Sequence, residues 1–306
     1  MNVFPKNARV CFLGDSITYN NGYVSHISAF YHKYFKDRNV NFYNCGIAGG
    51  RVETLLANFN DDIMVHNPTH AVVMIGVNNS GSSLLFEPRS RERYEKLLNL
   101  FEIYKKNLSA LCSKLKENNV EIILCTQTPY DEYMQSEVKR PPAGFALMMG
   151  YAEYVRGYAQ INGFGLCDYQ RYIIEKNQEE DLFNPDGIHP NDLGQYYMAK
   201  CFLEYQGLEL GEMEEFPEYM SRWRELVAVA RKIRTAEFLL AHKYKLADEK
   251  LSDEEKLALA EKYIDAHKDK QDDFLLTLAE EYIQNKKNQS KIEKEINTLM
   301  EKTFKE

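Results

Sequence analysis

The chain has 306 residues, 44% hydrophobic and 27% charged, which suits a folded globular protein and excludes a disordered one. Its net charge of −8 comes from interspersed acidic and basic residues with no basic block, so a phosphate-neutralising nucleic-acid surface is not expected. No apolar run approaches the roughly 20 residues of a membrane-spanning helix. The N-terminus lacks a basic region followed by a long apolar one, so no secretory signal is read. The six cysteines include no Cys-x-x-Cys pair and read as small reduced core residues, with no metal site or disulfide framework expected. Together these features point to a cytoplasmic protein.

In chain order, the first element is the apolar run at 9–13, short enough for a buried strand, which leads through Gly14-Asp15-Ser16 into a helical segment. A serine at such a turn stands at the carboxyl edge of a sheet, where the helix behind it aims free N–H groups at any oxyanion formed there. Two readings stand on these residues alone: Asp15 and Ser16 cap the helix, or Ser16 is a nucleophile. Further strand-like runs follow at 40–44, 70–75, 121–126 and 165–168. Helical spacing marks 91–118, where Tyr94, Leu97, Leu98, Phe101, Tyr104, Leu108 and Leu111 recur every three or four residues, and also 145–162 and 193–205. This alternation predicts a parallel sheet covered by helices, with functional residues after strands rather than before them.

Residues 218–306 contain neither Gly nor Pro and are rich in Lys, Glu, Leu and Ala. About three helices are expected here. Trp223, Leu226, Val227, Ala230, Ile233 and Leu240 would stripe the first, Ser252-Asp-Glu-Glu255 would cap the second, and Phe274, Leu275, Leu278, Tyr282 and Ile283 would lie on the third. The predicted division is a domain at 1–205 and a helical extension at 206–306, serving as a cap, a dimerisation element supporting a homo-oligomer, or a partner-binding module.

A nucleophilic Ser16 needs a base. His26 and His32 follow it on the same predicted helix, and ten helical residues span roughly 15 Å, too far for contact. His66 and His70 have the i, i+4 spacing of a metal pair, but Pro68 breaks the helix that would join them. His242 and His267 fall in the extension. His189 remains, in a loop after the last strand with Asp186 three residues before it. An Asp-x-x-His turn can return the carboxylate to the imidazole, although Asp-Gly also reads as a plain turn and His-Pro as the cap of the next helix. Oxyanion donors are available from the loop around Gly49, whose glycines do not give a dinucleotide fingerprint, and from Asn78 after the third strand.

Gly14-Asp15-Ser16, the glycine loop at 46–49, Gly76-Val-Asn78 and Asp186-Gly-Ile-His189 occur in the order of the four sequence blocks of the SGNH (GDSL-type) hydrolases, which this chain resembles over about residues 8–205. The resemblance implies an α/β, flavodoxin-like three-layer fold with a five-stranded parallel sheet. It also implies Ser16 as nucleophile, His189 as base and then acid, and Asp186 as its orienting residue. Ser16 N–H, Gly49 N–H and the Asn78 amide would form the oxyanion hole. One position departs: the third block usually reads Gly-x-Asn-Asp, and here the last residue is Asn79.

The expected activity is a cofactor-free serine esterase acting on a short, acetyl ester of a carbohydrate or similar small molecule or oligosaccharide. Asp15, Tyr19, Asn20, Arg51, Asn79 and Tyr130 are expected to contact substrate, with Tyr133 and Phe145 near the same cleft. The alternatives are a lysophospholipase or thioesterase of the same fold, and a non-catalytic scaffold that presents the extension to a partner.

Overall fold

The computed structural model describes residues 3–132, 137–211, 222, 225, 229, 232–233, 251–269 and 274–303. The chain divides into two compact units, Met1–Glu215 and Phe216–Glu306.

The first unit is built on five parallel strands: β1 (Arg9–Gly14), β2 (Asn41–Gly46), β3 (His70–Met74), β4 (Glu121–Cys125) and β5 (Gly165–Cys167). Their order is β2-β1-β3-β4-β5, the flavodoxin-like arrangement. Every expected strand is present, each within two residues of its predicted ends. β1 and β3 lie at the centre, buried on both faces, which is why they read as continuous apolar runs rather than alternating ones. The register pairs Gly14 with Gly46 on one side and with Met74 on the other. The ends of β1, β2 and β3 are therefore level, and the loops leaving them share one edge.

The sheet order reverses between β1 and β3, and helices cover both faces. On one side α2 (Gly22–Tyr34) packs with α7 (Asp192–Tyr205), which also packs with α6 (Tyr169–Lys176). Phe12 of β1 meets Tyr23 and Phe202 there, with ring centroids 5.7 and 5.9 Å away. On the other side α3 (Val52–Ala57) packs with α4 (Arg91–Glu117), and Tyr104 of α4 lies 4.8 Å from Tyr151 of α5 (Gly144–Asn162). Full burial of each such side chain contributes roughly 1.5–3 kcal/mol, and these two aromatic clusters anchor the helical layers.

One element differs from its expected form. The helix after Ser16 is two pieces, α1 (Ser16–Tyr19) and α2, separated by Asn21 at a φ of 66°. Asparagine tolerates this left-handed backbone because its short amide can bond locally. Here the Asn21 Oδ1 accepts from Asn44 Nδ2 at 2.7 Å, and its Nδ2 donates to Ser25 at 2.6 Å. The break places His26 on α2, where its ring meets Tyr196 edge-on in the core rather than facing Ser16.

In the second unit, α8 (Asp253–His267) opens with a capping box: Ser252 N–H donates to Glu255 Oε2 at 2.8 Å, and Glu255 N–H returns a bond to Ser252 Oγ. It packs on α9 (Phe274–Thr303) through the buried Ala260, Tyr263, Leu278, Ala279 and Tyr282. Of the stripe expected on the preceding helix, Ile233 is helical and buried, while Trp223, Leu226, Val227, Ala230, Leu240 and also His242 lie outside the described residues. No helix among the described residues is long and apolar enough to cross a membrane.

Candidate active site

Ser16 stands at the first position of α1, immediately beyond β1. The turn into it is tight: a Cβ on Gly14 would lie 2.1 Å from Thr18 Oγ1 and 2.8 Å from the Met74 carbonyl, so only glycine fits. Asp15 caps α1, its Oδ1 accepting from Ile17 N–H at 3.0 Å. The Ser16 N–H, as the first amide of a helix, has no intrahelical acceptor and is available to a ligand. The two readings of Asp15-Ser16 are thus compatible: the aspartate caps and the serine is presented.

His189 arrives from 173 residues further along, on a loop closed upon itself. Phe183 and Pro190 bridge antiparallel, Asn184 N–H donates to the His189 carbonyl at 2.8 Å, and Gly187 N–H donates to the Asn184 carbonyl at 2.8 Å. Asn191 fastens the base of the loop, donating to the Asp181 carbonyl at 2.7 Å while accepting from Gly194 N–H to cap α7. The loop is tied to the segment after β4 by Asp131 N–H, which donates to the Gly187 carbonyl at 2.7 Å. Gly187 has a φ of +67°, and a Cβ there would lie 2.4 Å from the Asp131 carbonyl.

These elements bring His189 Nε2 to 2.8 Å from Ser16 Oγ and His189 Nδ1 to 2.6 Å from Asp186 Oδ2. The other carboxylate oxygen, Oδ1, accepts from Ile188 N–H at 2.9 Å and His189 N–H at 3.0 Å. Partial burial alone would raise the Asp186 pKa. The two backbone N–H bonds and the imidazole outweigh it and hold the carboxyl below its ordinary value, so Asp186 stays ionised beside Nδ1. With Nδ1–H directed to a carboxylate, Nε2 is left as the acceptor for a hydroxyl proton.

The oxyanion donors expected after β2 and β3 also stand at this edge. Ile47 N–H donates to the Gly14 carbonyl at 3.0 Å, pinning the glycine loop beside β1. Gly49 is exposed at a φ of +69°, and its N–H has no partner among the described residues. Asn78 opens a single 3-10 turn, Asn78–Ser80, and its Nδ2 donates to the Gly50 carbonyl at 3.0 Å. That bond uses one amide hydrogen and leaves the second for a ligand.

The six residues expected to touch substrate separate into two groups. Tyr19, Asn20 and Arg51 are exposed around Ser16 and Gly49. Asp15, Asn79 and Tyr130 are buried, with 0%, 3% and 3% of their surface accessible. Tyr130 packs its ring against Gly144, with its hydroxyl among Ser80 and Ser82, and burial raises its pKa. Tyr133 lies outside the described residues, and Phe145 is half-buried at the start of α5.

The structure also assigns supporting residues that spacing did not flag. Asn44, two residues before the end of β2, donates from Nδ2 to the Thr18 carbonyl at 2.7 Å, joining β2 to α1. Arg140 donates to the carbonyls of Asp131 and Pro185 at 3.1 and 3.2 Å, bracing the His189 loop. An asparagine just before the glycine loop is the signal that marks Asn44; Arg140 carries none in the sequence.

The profile of the GDSL-like lipase/acylhydrolase family matches residues 12–196. An acetylxylan esterase of Geobacillus stearothermophilus is 24% identical over 218 residues, covering 66% of this chain and 94% of that protein. Among solved structures, BT4096, described as a gut microbial diltiazem-metabolizing enzyme, is 28% identical with a TM-score of 0.62. The match covers 68% of this chain but only 48% of that one, so the chain spans about half its length. The structure of a catalytic mutant of Axe2, an acetylxylan esterase from Geobacillus stearothermophilus, aligns over 70% of this chain and 100% of its own with a TM-score of 0.57 and 21% identity, a likeness of fold.

Proposed function

This chain belongs to the GDSL-like lipase/acylhydrolase family and is by that membership an ester-hydrolysing enzyme; from that premise we propose that it is a serine esterase removing short acyl groups, acetyl foremost, from a carbohydrate or similar polar alcohol. The observation that carries the reading is the unbroken chain of contacts from Ser16 Oγ through the His189 ring to Asp186, at 2.8 and 2.6 Å.

In this mechanism Ser16 Oγ attacks the ester carbonyl as its proton passes to His189 Nε2. Asp186 holds the ring and stabilises the imidazolium. The oxyanion of the tetrahedral intermediate is met by the N–H groups of Ser16 and Gly49 and by the free hydrogen of Asn78 Nδ2. Collapse breaks the bond to the alcohol, which takes the proton back from His189. Water, deprotonated by the same nitrogen, then attacks the acyl-Ser16 ester and releases the acid.

Two observations support a short acyl group on a polar alcohol. The exposed residues around Ser16 and Gly49 combine an aromatic ring, an amide and a guanidinium in Tyr19, Asn20 and Arg51, which suits a sugar face with hydroxyls at its rim. A relative of nearly equal span to the first unit is an acetylxylan esterase. The test is acetate release from a panel of acetylated sugars, run beside p-nitrophenyl esters of increasing length. Faster turnover of acetate than of octanoate is expected; the reverse order would favour a lysophospholipase or thioesterase. A fluorophosphonate should label Ser16 in the folded protein, and no adduct there would favour the scaffold reading.

A further inference from the structure

Asn79 makes two side-chain contacts of opposite polarity. Its Oδ1 accepts from Val52 N–H at 3.2 Å, and its Nδ2 donates to Glu53 Oε2 at 2.9 Å. Its backbone carbonyl accepts from the Tyr151 hydroxyl of α5 at 3.1 Å. Asn79 is almost wholly buried and Glu53 half-buried, so the contact with Val52 is made away from bulk water and the contact with Glu53 at the edge of the interior. Val52 and Glu53 form the first turn of α3, directly after Gly49 and Gly50. The adjacent Asn78 donates to Gly50 from the same 3-10 turn. Two consecutive residues thus fasten both the end of the glycine loop and the start of the helix that follows it.

An amide alone can satisfy this arrangement. A carboxylate at position 79 could accept from Val52 N–H but has nothing to donate to Glu53, and when ionised it would face a second carboxylate at hydrogen-bond distance. The acidic residue is well placed in its own right, because Glu53 sits in the first turn of α3 where the helix dipole favours negative charge. Position 79 must therefore adapt to Glu53 rather than the reverse. This gives a physical reason for asparagine where the resembled family usually carries aspartate.

We propose that the Asn79–Glu53 hydrogen bond is a positioning device for the oxyanion hole, setting the separation between the Gly49 N–H and the Asn78 amide. Asn79 touches no reacting atom; it acts through Asn78 and through the loop end at Gly50. The inference rests on the esterase reading for its effect on rate, while the pair itself can be tested without it.

The variant that tests it is Asn79→Asp, the smallest change that removes the donor. With p-nitrophenyl acetate, N79D is expected to lose roughly 10- to 100-fold in kcat at about pH 8 with KM within about twofold, since an oxyanion donor serves the transition state more than the ground state. The loss should shrink toward about pH 5, because two adjacent carboxylates there share a proton that again bridges them. The other titratable or charged groups around the pair are the hydroxyl of Tyr151 on α5, Tyr130 beyond it, and Arg51 at the start of α3. None of these changes between the variants compared.

Glu53→Gln in the N79D background reverses the polarity of the bond, with the glutamine amide donating to the carboxylate introduced opposite it. N79D/E53Q should recover kcat to within about threefold of the unmodified protein and lose the excess pH dependence. The same order should appear in thermal unfolding, where N79D is less stable at about pH 8 than at about pH 5 relative to the unmodified protein and the double variant is not. That measurement keeps the pair testable if N79D folds poorly. An N79D protein indistinguishable from the unmodified one between about pH 5 and 8 would overturn the proposal, as would a double variant no better than the single one. Failure of the unmodified protein to hydrolyse any ester would instead overturn the function reading, leaving the pair to be judged on unfolding.

Discussion

The two arms that meet at His189 Nε2 are held in place by different physics. The arm carrying Ser16 is fixed by burial: Asp15, Ile17 and Thr18 have at most 1% of their surface accessible, and the turn leaves no room for a Cβ at Gly14. The arm carrying His189 is half-exposed, with 38% of the side-chain surface of both His189 and Asp186 accessible, and is fixed by a network of backbone hydrogen bonds. Each arm sets one aspartate close to its catalytic residue, Asp15 beside Ser16 and Asp186 against His189, and the environments drive the two apart. Desolvation pushes Asp15 up to about 6, whereas backbone N–H groups and the imidazole hold Asp186 below its ordinary value. Equal residue types thus serve opposite ends, one as a fully desolvated cap and the other as a partner whose ionised form is favoured.

The largest effect expected from breaking this contrast is at the hydrogen-bonded arm. Asp186→Asn keeps an acceptor for the Ile188 and His189 N–H groups but lets the amide donate toward Nδ1, favouring the wrong tautomer of the ring. A fall of about 10⁴ in kcat is expected, with the fold retained. Circular dichroism together with initial rates on p-nitrophenyl acetate would check both halves. A variant retaining a tenth of the activity would remove Asp186 from its assigned role.

Next in size is the donor that neither arm supplies. Asn78→Ala removes the one side chain proposed to meet the oxyanion and should cost roughly 10²–10³ in kcat. The Gly50 carbonyl loses its donor as well, so urea unfolding measured beside the rate separates a loss of stability from a loss of transition-state binding. An effect confined to KM in steady-state kinetics would assign Asn78 to substrate binding instead.

The same contrast explains what the sequence made legible. Continuous apolar runs identify β1, β3 and β4 because a parallel sheet buries both faces, and four short motifs after strands locate Ser16, Gly49, Asn78, Asp186 and His189. Their placement at one edge follows from the parallel topology alone. Less legible were the contacts that hold them. The separation of α1 from α2 at Asn21 depends on Asn44, 23 residues away, and a helical pattern read locally runs straight through it. Burial of Asn79 and Tyr130 likewise depends on α3 and α5 folding over them, so their polar side chains read as cleft residues. The bracing of the His189 loop by Arg140 spans 45 residues to Pro185 and has no periodic or motif signature.

The smallest expected effect on rate, and the one with the most distinct pH signature, is at the buried arm. Asp15 Oδ2 has no hydrogen-bond partner among the described residues, and its charge is compensated by the Ile17 N–H, the field of His189 and its own backbone N–H. The folded-state pKa is raised above the unfolded value. The stability this contributes is therefore fully present below about pH 4 and is lost as pH rises through about 6. A shift from 3.8 to about 6 corresponds to on the order of 3 kcal/mol. Asp15→Asn keeps the acceptor for Ile17 N–H and abolishes the titration. Its stability relative to the unmodified protein should therefore rise between about pH 4 and about pH 7, because the contribution of Asp15 is lost as pH rises whereas that of Asp186 is lost as pH falls. Removing a charge that favours the His189 imidazolium should at the same time lower kcat about tenfold, equivalent to about 1.4 kcal/mol. Urea unfolding of D15N at about pH 4 and about pH 7, with kcat measured at the upper pH, separates the two consequences. Parallel stability curves would show that Asp15 is not desolvated as the fold requires, and a higher stability with unchanged kcat would leave it a cap alone.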